Sequence, residues 1–178
     1  MLNLHRLGGL AYFVRTSTRH INVLILGLLL FAVSATPTHA GLTSGPEYDT
    51  LQALYSSTNG AAWTDSTGWL SGDACGWFGV TCDQDSVPTD NTSHVHAIVL
   101  SSNHLVGFIP SLASLTNLYA FDAGYNQLSG PLPSLVGLSG LHDFEVPFNQ
   151  LSGGIPAISQ LGALQYFSVE HNNLTGPL

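Results

Sequence analysis

Beyond residue 95 the chain carries two apolar rhythms that take turns. Ile98-x-Leu100, Phe121-x-Ala123, Phe144-x-Val146 and Phe167-x-Val169 each place apolar residues two apart, the period of a strand with one buried face. Between them, Leu112/Leu115/Leu118, Leu135/Leu138/Leu141 and Ile158/Leu161/Leu164 recur every third residue. That spacing suits a short 3₁₀-like or irregular turn better than a full helix. The whole block repeats in phase every 23 residues, marked by Asn103, Asn126, Asn149 and Asn172. Leu105, Leu128, Leu151 and Leu174 follow each Asn by two, and Gly107, Gly130, Gly153 and Gly176 by four. Ile109, Leu132, Ile155 and Leu178 come next in register, then Pro110, Pro133 and Pro156.

A fixed period of this length means stacked coils that share one core. The strands are predicted to lie side by side as a parallel sheet, with Phe121, Phe144 and Phe167 in one inward column. After each strand the chain must turn, which leaves interior backbone groups to be paired. An Asn side chain can donate and accept at once, so the four asparagines are predicted to form a structural ladder. The Gly and Pro of each coil set the turn and block helix there.

Strand alternation also names the outward residues. They form the columns Ala97/Ala120/Asp143/Tyr166, Val99/Asp122/Glu145/Ser168, Ser101/Gly124/Pro147/Glu170 and Ser102/Tyr125/Phe148/His171. Asp122, Asp143, Glu145 and Glu170 therefore cluster on one face, rimmed by Tyr125, Phe148 and Tyr166, and these seven residues are the candidate ligand-binding set. Asp122 and Glu145 on adjacent strands would stand about 5 Å apart, near the separation of the carboxylates in a retaining glycosidase. A flat exposed sheet has no cleft to raise one pKa and exclude water, so no catalytic residue is assigned. Clustered carboxylates also suit calcium, although solvated surface is their commonest fate. His94 and His96 alternate to one face and His104 lies nearby. Without a third ligand at fixed spacing they read as surface histidines, and neither a metal site nor a cofactor is predicted. Ser-His-Asp, phosphate-loop and HExxH patterns are absent.

The first 40 residues change the charge picture. Arg6, Arg15 and Arg19 precede a run from Ile21 to Ala35 that is almost wholly apolar, and Thr38-His39-Ala40 offers small residues for cleavage. This is the layout of a secretory signal. An uncleaved anchor is the alternative, but the run is shorter than the ~20 residues of a spanning helix. All three Arg lie in this segment and the chain has no Lys, which leaves eleven acidic side chains and no permanent cation in the remainder. Nucleic-acid binding is excluded, because it needs Lys or Arg against phosphate. Neutral polar or basic partners suit such a field. In an exported chain, the pair Cys75 and Cys82 reads as one disulfide, with Trp77 and Phe78 packing on its loop. A metal site is the other reading of the thiols, but two of them do not complete a zinc site.

The unit Leu-x-x-Leu-x-x-Phe-x-Ala-x-x-Asn-x-Leu-Ser-Gly-x-Leu-Pro, from Leu115 to Pro133, resembles the plant-type leucine-rich repeat. Asp49 to Tyr55, Asn59-Gly60-Ala61-Ala62-Trp63, Trp69 and Cys75-Gly76-Trp77-Phe78-Gly79-Val80-Thr81-Cys82 resemble the N-terminal cap of that family. The 23-residue period is one short of the usual coil. The resemblance implies an α/β repeat solenoid, a right-handed superhelix with a parallel concave sheet, a 3₁₀ or irregular convex side and a helical N-terminal cap. It also implies recognition of a protein, peptide or glycan, as in receptor-kinase ectodomains and inhibitors of cell-wall pectinases, rather than catalysis.

The expected organisation is a signal peptide over 1–40, a cap over 41–94 and repeats over 95–178, the last coil incomplete. Arrays need a polar cap at each end, so the stop at Leu178 is expected to mark a fragment of a longer recognition protein, the other reading being an end covered by a partner. A membrane receptor ectodomain is the alternative to free secretion. The expected location is secreted or extracellular. A membrane is involved only if the signal stays or the chain continues to a span. Asn91 and Asn173 head glycosylation sequons that matter in a eukaryote.

Overall fold

The computed structural model describes residues 41–83 and 93–176. The expected signal segment, Asn91 and Leu178 lie outside the described residues.

The cap begins with helix α1, Pro46–Ser57. Pro46 opens it, where a missing N–H costs nothing, and Glu47 and Asp49 occupy the first turn, where the helix dipole favours acids. Leu51 and Leu54 are buried from its inner face. Two 3₁₀ turns follow, Gly60–Ala62 and Ala74–Gly76. Tyr48, Tyr55, Trp63, Trp69 and Trp77 pack ring against ring, with centroids 4.8 to 5.8 Å apart. Cys75 and Cys82 form the expected disulfide, with Cα atoms 5.4 Å apart. Trp77 is buried in its loop, but Phe78 is 39% exposed, against the expectation that both would pack there. The backbone at Trp77 is extended, and consecutive side chains on extended chain point to opposite sides.

Strand β1, Val80–Asp83, pairs antiparallel with β2, His94–Val99. The coils then add β4, Ala120–Asp122, β6, Asp143–Glu145, and β8, Tyr166–Ser168. The sheet runs β1-β2-β4-β6-β8 and is parallel from β2 onward. Its register steps by the repeat length, pairing Ala97 with Ala120, Ala120 with Asp143 and Asp143 with Tyr166. Ile98, Leu100, Phe121, Ala123, Phe144 and Val146 are fully buried. The Phe121, Phe144 and Phe167 rings stack in one column, at 5.5 and 5.8 Å. Phe167, Val169 and Leu174, in the fourth coil, are only partly buried. On the far side the backbone makes successive i→i+3 bonds, Leu115 and Leu118 N–H donating to Leu112 and Leu115, with equivalents in each of the next two coils.

A second parallel sheet departs from the sequence reading, which gave this segment to turns alone. It comprises β3, Val106–Gly107, β5, Gln127–Pro131, β7, Gln150–Gly153, and β9, Asn173–Leu174. Stacked coils hold even polar, Gly-containing chain at hydrogen-bonding distance from its copy, so the ladder forms without a long apolar alternation.

The asparagines tie the two sheets together. Asn126 Oδ1 accepts from the Asn103 and Leu105 amides, at 3.0 and 2.9 Å, and its Nδ2 donates to the carbonyls of Leu100, Ala123 and Gly124. Asn149 and Asn172 accept from Leu128 and Leu151 in the same way. Asn103 instead bonds the cap, accepting from the Asp65 amide and donating to its carbonyl. Gly107 has a separate role. The amides on either side of it, Val106 and Phe108, donate to Thr58 and Ser57, and a Cβ at 107 would overlap the Ser57 carbonyl oxygen. Glu47 closes the same junction from α1, accepting from the Val95 amide at 2.7 Å and contacting His94 Nδ1 at 2.8 Å.

Candidate functional site

The columns through Asp122/Glu145 and Asp143/Tyr166 stand outward as alternation put them. In the column Ser101/Gly124/Pro147/Glu170, however, the middle members Gly124 and Pro147 are buried, because the chain is already turning there and Pro147 packs over Gly124. Asp122 pairs with Glu145, Glu145 with Ser168 and Asp143 with Tyr166. Their proximity is felt electrically. Burial first, then the charges of Asp122, Asp143 and Glu170, hold the Glu145 carboxyl above its ordinary value. Glu170 is shifted the other way, its anion stabilised chiefly by the Ser168 hydroxyl, which donates at 2.7 Å. Asp122 Oδ1 accepts from the Gly124 amide at 3.0 Å, and Asp143 Oδ1 lies 2.7 Å from His142 Nδ1. The four carboxylates thus form one field, Asp122, Asp143 and Glu145 half-exposed and Glu170 exposed. Among the described residues, no three His, Cys, Asp or Glu side chains gather where they could hold a metal ion.

Aromatic ladders flank this field on both sides. Tyr125 stacks on Phe148 at 4.5 Å, and Phe148 on His171 at 4.1 Å, both nearly parallel. At the other edge His96, Tyr119 and His142 stack at 5.1 and 4.7 Å, and Tyr166 tilts against His142. Sequence reasoning placed Tyr125, Phe148 and Tyr166 at the rim but missed His171, His96, Tyr119 and His142 as ladder members. Their signal was present in the 23-residue spacing of 96/119/142 and 125/148/171. Ser102, Tyr125, Phe148 and His171 share a left-handed backbone, φ 54 to 55°, which projects that whole column alike. The three flagged histidines have different neighbours. His94 meets Glu47, His96 stacks on Tyr119, and His104 Nδ1 lies 2.6 Å from Thr64 Oγ1.

Two shallow depressions lie among the described residues. One of about 300 Å³ is lined by Ser102, His104, Tyr125, Asn126 and Gln127. Another of about 290 Å³ lies around Glu170, His171 and Asn172.

Residues 44–83 match the family model described as leucine rich repeat N-terminal domain, directly ahead of the coils. Cap and coils together match the plant-type leucine-rich-repeat pattern. Three solved structures illustrate the likeness. The leucine-rich-repeat ectodomain of the receptor kinase SOBIR1 from Arabidopsis thaliana superimposes with TM-score 0.63 at 24% identity, over 76% of this chain and 71% of that one. The BIR2 ectodomain from Arabidopsis thaliana gives 0.53 at 25%, over 77% and 84%. The PEPR1–AtPEP1 structure gives 0.61 at 24%, over 74% of this chain but 19% of that one. No curated protein matches the leucine-rich-repeat domain significantly in sequence.

Proposed function

We propose that the leucine-rich-repeat domain is an extracellular recognition module that binds a protein or peptide, or a glycan, on the outward face of its main sheet, and that it is not an enzyme. The observation that carries this reading is the carboxylate field of Asp122, Asp143, Glu145 and Glu170 between two aromatic ladders. A stacked sheet costs no rearrangement to present this surface, and preorganisation of that kind favours binding. Carboxylates this open to solvent do not exclude water as acid catalysis requires. The likeness to receptor ectodomains supports a place outside the cell, either free or at its surface. An expected glycosylation site, Asn173, is exposed in β9, on the second sheet, so a glycan there would leave the main sheet clear.

Selection of random peptides on the purified protein tests the reading. Enriched peptides should carry Lys or Arg and should bind the triple variant Asp122→Asn, Glu145→Gln, Tyr166→Ala at least tenfold more weakly, the loss of about 1.4 kcal/mol. Unchanged binding of every enriched peptide to that variant would reject the face. Turnover of oligosaccharides by wild type, abolished in Asp122→Asn or Glu145→Gln, would reject the non-enzymatic reading.

A further inference from the structure

The ladder beside the carboxylates has one rung without a ring. Positions 102, 125, 148 and 171 are successive members of one column with the same left-handed backbone. That backbone is held by coil-to-coil bonds, the Ser102, Tyr125 and Phe148 amides donating to Gly124, Pro147 and Glu170. Phe148 is sandwiched on both faces, by Tyr125 at 4.5 Å and His171 at 4.1 Å. Among the described residues, one ring, that of Phe148, stacks on Tyr125. The other face of Tyr125 looks toward Ser102, whose side chain ends at a hydroxyl, and the depression of about 300 Å³ opens between them. Tyr125 is 60% exposed as a result. His104 closes the side of this slot, and its Nδ1 lies 2.6 Å from Thr64 Oγ1.

We propose that this vacant rung is a stacking site for the guanidinium of an arginine presented by a partner peptide. The proposal rests on main-sheet recognition and names the group recognised at one end of it. The slot continues a stack of flat groups spaced about one ring apart, so its occupant must be planar, as a guanidinium is and an ammonium is not. The π face attracts a cation. The surrounding charge has the matching sign: the chain after Arg19 carries no Lys or Arg. Asp122, bonded to the Gly124 amide next to Tyr125, lies at the ladder's edge. A neutral ring would fill the slot without using these carboxylates, and a lysine would use the charge without the stacking.

The test compares three peptides on the purified protein by calorimetry. They are Ac-GSRGSRGSRG-amide, its counterpart with lysine at each arginine and its counterpart with citrulline there. The arginine peptide should bind about two- to fivefold tighter than the lysine peptide, because both carry the charge and only the guanidinium stacks flat. It should also bind tighter than the citrulline peptide, which is planar but lacks the charge that the ring face attracts. Ser102→Phe should fill the rung and erase the arginine preference, whereas Ser102→Ala, which leaves the slot open, should retain it. The backbone accepts a ring at 102, since Tyr125, Phe148 and His171 hold the same φ. Equal binding of arginine and lysine peptides, or a preference that survives in Ser102→Phe, overturns the proposal. If both peptides then weaken together in Asp122→Asn/Glu145→Gln, the main-sheet reading stands without it. A preference for citrulline over arginine assigns the slot to neutral planar groups and overturns the guanidinium. Failure of every peptide to bind overturns it too, and leaves the main-sheet reading to the unbiased peptide selection.

Discussion

Each ladder asparagine works backward along the solenoid, and its worth depends on how much water can replace it. Asn149 gives the buried Leu128 amide its acceptor and bonds the carbonyls of Ala123, Val146 and Pro147. Asn149→Ala should therefore cost roughly 2–4 kcal/mol, because each buried backbone group left unpaired costs about 1–3. Asn172→Ala should cost about half as much, since Asn172 is half-exposed and water can take its place. Urea denaturation of the two variants checks the order, and equal losses would refute it. The asparagines were legible in the sequence because few side chains both donate and accept, and because they recur in phase. Gly107 was legible only as a member of its column. Its particular constraint comes from the Ser57 carbonyl at the end of α1, and a repeat pattern cannot show which coil meets the cap. Gly130 and Gly153 in the same column have ordinary space around them.

The main sheet was readable because its strands alternate, and alternation sorted the outward residues within the strands, though not past their ends, where Gly124 and Pro147 are buried. The second sheet was not, since chain such as Gln127–Pro131 pairs through its stacked copies and carries only one inward leucine, Leu128. The antiparallel β1 belongs to the cap, where no repeat reveals a partner. Ring stacking also escaped the sequence, as column membership says nothing of rotamer or of the shared positive φ. Within the main sheet, burial of Glu145, added to by the like charges around it, makes a definite pH prediction. With its carboxyl held above the usual 4.5, ionised Glu145 is disfavoured in the folded sheet. The folded state binds the extra proton, so this penalty grows as pH rises through the raised value and disappears below about 4.5. Glu145→Gln should consequently melt higher than wild type at pH 7, with the advantage vanishing below about pH 4.5. Thermal melts across that range decide it, and a variant that melts lower at pH 7 would contradict the sign. Glu170 works in the opposite direction: its stabilisation is present above the usual 4.5 and is lost as pH falls through its lowered value.

For the molecule as a whole, stability is close to a sum of coils and the contacts between neighbouring coils. Among the described residues the coils contribute four strands to the main sheet beside β1, and the cap adds its own aromatic core to that sum. The disulfide closes a short loop, seven residues apart in sequence, for which chain entropy gives about 2.5 kcal/mol. Reduction should lower stability by about that amount, read as a drop in the denaturation midpoint. A midpoint unmoved by reductant would show that the aromatic cluster holds the cap alone. Charge belongs to this scale as well. Eleven acids without a compensating Lys or Arg beyond residue 19 are a property of no single coil, yet they narrow the partners of every surface. One feature of the main sheet reaches further. Because its register advances by the repeat length at each step, from Ala97 to Ala120 to Asp143, a duplicated or deleted block of that length leaves every neighbour with an equivalent partner. A change of one or two residues breaks the stack at once. Such a chain lengthens and shortens most readily by whole coils, through tandem duplication of the gene, and it can gain or lose columns of binding surface while the hydrogen bonding between coils stays the same.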